Sequence, residues 1–329
     1  MTNAFAVRIY PRIQSFERMK FTTLRPKYWN AWLLVPFLWF LSLFPMSMIY
    51  GLGTALGNFF YRIAPSRRKI ALRNLELCFP ERPPQEIQML AKETFRNITR
   101  VTLSSGIGWW AGRDRLTRLV QLKHSVHYER ALKSGRNLIL LAPHFVALEI
   151  GGIYLSMTSP IASIYQRSRN PVFDQLTLNG RSRFGAILAE RKSDARRLIR
   201  EMKKGTPLYY LPDQDPGIQW DPRRAVFAPF FGIQTATWAT LARLASLTNA
   251  LVLPCATKIL SAGQGFEVIF GPPLENFPSG DPLLDATSMN RVIEVFVRDM
   301  PDQYFWAHRR FKTQPPGSSD YYAQPPVAS

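Results

Sequence analysis

The chain has 329 residues, 46% of them apolar, and carries 42 Lys and Arg against 23 Asp and Glu for a formal net charge of +19. That apolar content excludes a disordered chain, and the length is enough for one large core or two small domains. Two cysteines (Cys78 and Cys255), no C-x-x-C and four histidines exclude a disulfide framework and argue against a zinc site, while the basic excess favours polyanionic partners: anionic lipid, phosphorylated substrates or nucleic acid.

Residues 1–28 form a basic tail. Residues 29–61 carry no charged side chain and read as a hydrophobic membrane anchor. The densest part, Ala31 to Tyr50, is long enough to cross a hydrocarbon core of roughly 30 Å. Trp29, Trp32, Trp39 and Tyr50 suit the lipid–water boundary. Arg8, Arg12, Arg18, Lys20, Arg25 and Lys27 precede the run, and Arg62, Arg67, Arg68 and Lys69 follow it. Basic flanks on both sides, with Pro36 and Pro45 inside, fit a shallow hairpin on the anionic cytoplasmic leaflet. A single span and a buried core helix stay open as alternatives. A secretory leader fits less well, because no small-x-small cleavage site follows the run.

Residues 62–313 read as one catalytic domain. Helical periodicity runs over Glu86–Trp110 after Pro83-Pro84. Asn137–Ala142 is a buried strand, Phe145–Met157 a helix and Ile161–Gln166 a strand. Val172–Arg183 and Asp194–Lys204 are helical, the second stopped by Gly205. Pro207–Leu211 is a strand, Thr235–Leu247 a helix, and Ala250–Ile259 a strand with Phe266–Phe270 beside it. Asp285–Asp299 closes the domain as an amphipathic helix. Alternating strands and helices predict an α/β sheet with crossover connections. Residues 314–329 are rich in Pro, Gly and Ser and read as a loose tail. No glycine-rich phosphate loop stands at a strand–helix turn, which weakens nucleotide-binding readings.

The run Asn137-Leu-Ile-Leu-Leu-Ala-Pro-His144-Phe-Val-Ala-Leu-Glu149 delivers a histidine directly behind a strand, with a carboxylate five positions later. Imidazole is suited to take a proton near neutral pH, and a carboxylate can fix its tautomer and stabilise the imidazolium. Residues five apart on a regular helix lie about 140° apart, so the pair meets only if His144 sits in the turn and Glu149 in the first turns of the helix. Read alone, the pattern also fits a buried histidine satisfied by a backbone carbonyl. Asp213 likewise follows a strand, and in open α/β sheets functional groups gather beyond the carboxyl ends of strands. Between Pro212 and Pro216, Asp213 also reads as a turn residue.

With these features the chain resembles the bacterial lipid A late acyltransferases, the lauroyl/myristoyl transferases within the glycerolipid acyltransferase superfamily and its H-x4-D/E motif. The resemblance is carried by Arg67-Arg-Lys-Ile-Ala-Leu-Arg-Asn74-Leu-Glu-Leu-Cys-Phe79-Pro80-Glu81, Tyr165-Gln-Arg-Ser-Arg-Asn-Pro, Asn179-Gly180-Arg181-Ser-Arg183, Tyr210-Leu-Pro212-Asp213-Gln-Asp215 and Gln303-Tyr-Phe-Trp306-Ala-His308-Arg309-Arg310-Phe-Lys312, in that order. It implies a glycerolipid-acyltransferase-like mixed sheet flanked by helices. It implies transfer of an acyl chain from acyl carrier protein to a hydroxyl of a lipid A precursor, at the cytoplasmic face of the inner membrane. No metal, nucleotide cofactor or nucleic-acid partner is implied.

By the same resemblance His144 and Glu149 are the catalytic pair, and Arg181 and Asp213 are functional. Arg181 is then placed to bind a phosphate or developing charge, and Asp213 to position a sugar hydroxyl or to hold Arg181. Arg167, Arg169 and Arg183 are candidates for a phosphate patch, and Arg309 and Arg310 for headgroup or substrate contact. Oxyanion donors are expected from amides at the helix start after His144. Trp109 and Trp110 read as aromatic core or as the lining of an acyl channel. Two other readings remain: a membrane-tethered metal-dependent phosphodiesterase using His144, Glu149, Asp213 and Asp215, and a non-enzymatic basic scaffold for membranes or polyanions.

Overall fold

The computed structural model describes residues 25–190, 194–217, 221, 223–323 and 326–327. Its centre is a seven-stranded sheet in the order β1-β9-β8-β2-β5-β3-β4. The strands are β1 (Val120–Lys123), β2 (Asn137–Leu141), β3 (Ala162–Tyr165), β4 (Ile187–Glu190), β5 (Leu208–Tyr210), β8 (Ala250–Ile259) and β9 (Phe266–Phe270). Every neighbouring pair is parallel except β8 with β9. The parallel strands are joined by helical crossovers: α7 (Leu148–Thr158), α8 (Pro171–Ser182) and α9 (Ala195–Lys203) carry the chain from β2 through β3 and β4 to β5. The central strand β2 explains the continuous apolar run that marked it. Ile139 and Leu141 join one core, Leu138 and Leu140 the other, so both faces are covered.

The expected helix over Thr235–Leu247 is corrected. Its first residues belong to β7 (Ile233–Trp238), which pairs antiparallel with β6 (Ala225–Phe230) as a separate hairpin; the helix, α10, is Thr240–Thr248. Ile233, Thr235 and Thr237 alternate with the period of a strand, and β-branched side chains favour one. The two-residue loop Phe231-Gly232 has φ of 50° and 77°, the primed turn that matches strand twist. The helix expected from Phe145 starts only at Leu148. The amide of Phe145 turns back to the Pro143 carbonyl (2.7 Å), and that of Val146 donates to Gln303 O (2.9 Å).

The apolar run is divided. It forms α1 (Trp29–Leu41) and α2 (Met46–Ile63), separated at an elbow that Pro45 closes by capping α2, while Pro36 stays inside α1. Among the described residues no helix is long and apolar enough to cross a membrane. Both helices pack on the long α4 (Pro84–Trp110). Glycines allow the close approach: a Cβ at Gly57 would lie 2.5 Å from Arg96 Cα, and one at Gly53 2.6 Å from Arg100 Cα. The opposite side leaves Trp29, Leu33, Phe37, Trp39, Phe40, Leu43, Met48, Phe59 and Phe60 exposed. Because backbone stands in the way, Gly57→Ala is expected to push α2 off α4 and cost about 1–3 kcal/mol. A thermal melt unchanged within about 1 °C would contradict this packing.

The α3 helix (Pro65–Cys78) ties the N-terminal and C-terminal parts together. Buried Asn74 donates to the carbonyls of Trp306 and His308, both at 2.7 Å, and accepts from the Tyr322 hydroxyl at 2.6 Å. Arg67 donates to Ala307 O at 3.1 Å. The C-terminal segment expected to be loose is therefore docked at Tyr321 and Tyr322, with Arg73 donating to Tyr321 O at 2.7 Å. The final long helix, α11 (Pro282–Asp299), lies against β6 and completes this layer.

Candidate active site

Strands β2 and β5 lie side by side, so the segments leaving their carboxyl ends, Pro143-His144 and Pro212-Asp213, are neighbours. Asp213 uses both oxygens on His144: Oδ1 lies 2.7 Å from Nδ1, and Oδ2 accepts the His144 backbone N–H at 2.8 Å. The Tyr304 hydroxyl donates to Oδ2 as well, at 2.8 Å. Phe305 N–H donates to His144 O at 2.9 Å, so the turn is clamped on both sides. Asp213 is 1% exposed and His144 22%. Burial alone would raise the Asp213 carboxyl. The His144 charge, the hydrogen bonds from its ring and amide and the one from Tyr304 together outweigh it and bring the group down to about 2.

This geometry corrects the expected pairing. Glu149 does not take the His144 Nδ1 position. It stands in the first turn of α7, where Oε1 accepts the Trp109 indole N–H (2.7 Å) and Oε2 accepts from Arg181 Nη2 of α8 (2.8 Å). The two carboxylates have exchanged the expected partners: Asp213 holds the imidazole, and Glu149 holds the arginine. Trp109, at the end of α4, is wedged against α8, because a Cβ at Gly180 would fall inside its indole. The amides of His144, Phe145 and Val146 already have acceptors, so they are not the expected oxyanion donors.

The remaining arginines separate. Arg167 pairs with Glu190 (3.2 Å) and Arg169 is exposed. Arg183 is not part of a phosphate patch. It donates to Gly108 O (2.8 Å) and to Ala111 O at the end of α4, and lies over the Phe184 ring. Burial, then the nearby Arg113 charge, pull its pKa down. Arg309 is exposed and lies over Tyr322. Arg310 is buried rather than presented to a headgroup. It donates to Ala236 O (2.8 Å) and to the hydroxyls of Thr235 and Thr237 (3.3 Å each), pinning β7.

Beside His144 lies a cavity of about 10 Å³, lined among others by Asn74, Gln214, Tyr304, His308 and Arg310. It is large enough for a water and too small for substrate. His308 Nε2 and Arg310 Nε are buried there without a hydrogen-bond partner among the described residues. Burial, then the His144 charge, lower the His308 pKa, which favours the neutral ring. The four residues of the metal reading do not share a site. Asp215 accepts from the Thr313 amide (2.7 Å) and hydroxyl (2.8 Å), Glu149 is spent on Trp109 and Arg181, and the described residues hold no cluster of three metal-ligating groups. Sequence reasoning missed Tyr304 as a partner of Asp213 and Trp109 as a partner of Glu149.

A strand-end imidazole with Nδ1 fixed by a buried carboxylate leaves Nε2 as the basic nitrogen, the arrangement of a general base for a hydroxyl. With an α/β sheet behind it, the arrangement suits a group-transfer or hydrolytic reaction. Residues 17–313 match the family described as bacterial lipid A biosynthesis acyltransferase, and the chain belongs to that family. It is 35% identical to the lipid A biosynthesis lauroyltransferase of Escherichia coli K12 over 92% of this chain and 98% of that one. It is 30% identical to the palmitoleoyltransferase of the same organism (93% and 99% covered) and 30% identical to its myristoyltransferase (90% and 91%). The activity that follows is acyl transfer onto lipid A in lipopolysaccharide biosynthesis.

Proposed function

We propose that the protein moves a fatty acyl chain, lauroyl or myristoyl, directly from acyl carrier protein to a hydroxyl of a lipid A precursor of the Kdo-bearing type, with His144 as general base. The observation that carries this reading is the His144–Asp213 contact beyond β2 and β5. His144 Nε2 takes the acceptor's proton as its oxygen attacks the thioester carbon. Asp213 holds the tautomer and stabilises the imidazolium. The tetrahedral intermediate collapses with loss of the carrier's thiolate, which takes the proton from His144. Arg181, paired with Glu149 but one-third exposed, remains available to an acceptor phosphate or to the oxyanion.

The bare apolar face of α1 and α2, flanked by Arg62, Arg67, Arg68 and Lys69, supports seating on the cytoplasmic face of the inner membrane as a shallow hairpin. The relatives are named for lauroyl, palmitoleoyl and myristoyl transfer, so chain length is set by features that vary within the family. The test is the purified protein with a panel of acyl carrier protein thioesters and lipid A precursors, read by product mass. One added ester of lauroyl or myristoyl mass is expected. Absence of any acylated product across the panel would reject the reading.

A further inference from the structure

The elbow between α1 and α2 carries a second feature unrelated to His144. An open cavity of about 310 Å³ is lined by Leu43, Phe44, Pro45, Met46 and Leu119 and by two cations, Arg115 and Arg118. Both arginines stand on the short helix α5 (Arg113–Leu119). Arg115 is committed to the elbow itself, donating to the carbonyls of Ser42 and Phe44. That fixes its guanidinium at the cavity wall. Arg118 is exposed, and among the described residues no carboxylate comes within ion-pair distance of either group. Burial and the Arg118 charge both lower the pKa of Arg115, so the two cations oppose each other in a partly apolar setting. An anion held between them would relieve that repulsion.

The walls state what the anion is attached to. Leu43 is 58% exposed at the tip of the elbow, and the uncovered face of Phe40, Trp39 and Met48 runs away from it on both helices. A ligand that places a phosphate between guanidiniums and hydrocarbon against Leu43 and Phe44 is an amphiphile. We propose that this elbow is a headgroup site for an anionic phospholipid of the bilayer, with Arg118 as its free cation and Arg115 as its fixed one. The site rests on the reading that the α1–α2 face meets a membrane, and it would set the depth and tilt at which the enzyme sits.

The test uses the full chain in flotation with vesicles of phosphatidylcholine alone and of phosphatidylcholine with phosphatidylglycerol at 7:3. The variants are Arg118→Glu and, as a charge-matched control on α11, Arg291→Glu, an exposed residue. Unchanged melting curves establish that both fold. Arg118→Glu is expected to lose about thirtyfold in affinity for the phosphatidylglycerol vesicles, a two-unit charge change at roughly 1 kcal/mol per charge near the surface. Arg291→Glu should lose much less, and binding to pure phosphatidylcholine should be alike in all three. Equal losses for both variants would overturn the site in favour of diffuse attraction by the basic surface. A raised KM for the phosphorylated acceptor in neutral micelles, with vesicle binding unchanged, would overturn it in favour of an acceptor-phosphate site. Failure of the unmodified protein to bind either vesicle would instead reject the membrane reading beneath it.

Discussion

Replacing His144 with Ala is expected to lower kcat for acyl transfer by about 10²- to 10⁴-fold while the melting curve changes little, because a general base contributes in that range. The side chain is partly exposed and its backbone amide bond to Asp213 survives the change. Asp213→Asn should cost about 10²-fold or more by a different route. An amide in that buried position cannot stabilise the imidazolium, and it can present either N–H or C=O to Nδ1, so the tautomer is no longer fixed. Tyr304→Phe removes only one of the hydrogen bonds on Asp213 and should cost far less.

The pH dependence of stability reports on Asp213 itself. Asp213 titrates at about 2 when folded, below its ordinary value of 3.8. A depressed carboxyl contributes stability that is complete above about pH 4 and is lost as pH falls from there through about 2. Across an assay range of roughly pH 5–9 the carboxylate stays ionised, so its own titration does not shape kcat/KM there. Asp213→Asn should therefore lower kcat/KM alike across that range. A kcat near the unmodified value would show that Asp213 only packs the turn.

Much of the fold was legible because its strands and helices carry strong local patterns. Ala250–Ile259 is a buried β-rich run with the bounds it was expected to have, and the last helix differs only by its first turn at Pro282. Thr235–Leu247 misled because its small and apolar residues suit a helix, whereas Arg310, far away in the chain, organises Thr235 and Thr237 as a strand. The division of the apolar run was readable at Pro45. Its packing on α4 was not, since the recesses are glycines whose partners lie some forty residues on, at Arg96 and Arg100. Of the site, His144 and Asp213 were visible as the residues that follow strands. Which carboxylate meets the imidazole depends on β5 lying next to β2, a matter of strand order that local sequence does not encode. Asn74 illustrates the same limit. Its stretch carried part of the resemblance, and only the fold explains it as the clamp on the segment bearing Tyr304 and His308.

The exchange of partners makes a second large effect testable. Glu149→Gln keeps an oxygen for the Trp109 indole but removes the charge that holds Arg181, and it should lower kcat/KM by about 10- to 10²-fold. Such a loss corresponds to a misplaced positioning group rather than a missing base. Arg181→Gln should fall in the same range, with its effect strongest on KM for the phosphorylated acceptor if the guanidinium binds phosphate and on kcat if it faces the oxyanion. Because both carboxylate oxygens are occupied at 2.7 and 2.8 Å, Glu149 and Arg181 act as one unit. The double variant should therefore be little worse than the poorer single one, a coupling that a double-mutant cycle measures directly. If Glu149 instead served the imidazole, its loss would lower kcat as far as His144→Ala does and would add to Arg181→Gln. Additive losses together with a kcat as low as that of His144→Ala would restore the H-x4-E pair as the catalytic dyad and reduce Asp213 to its scaffold.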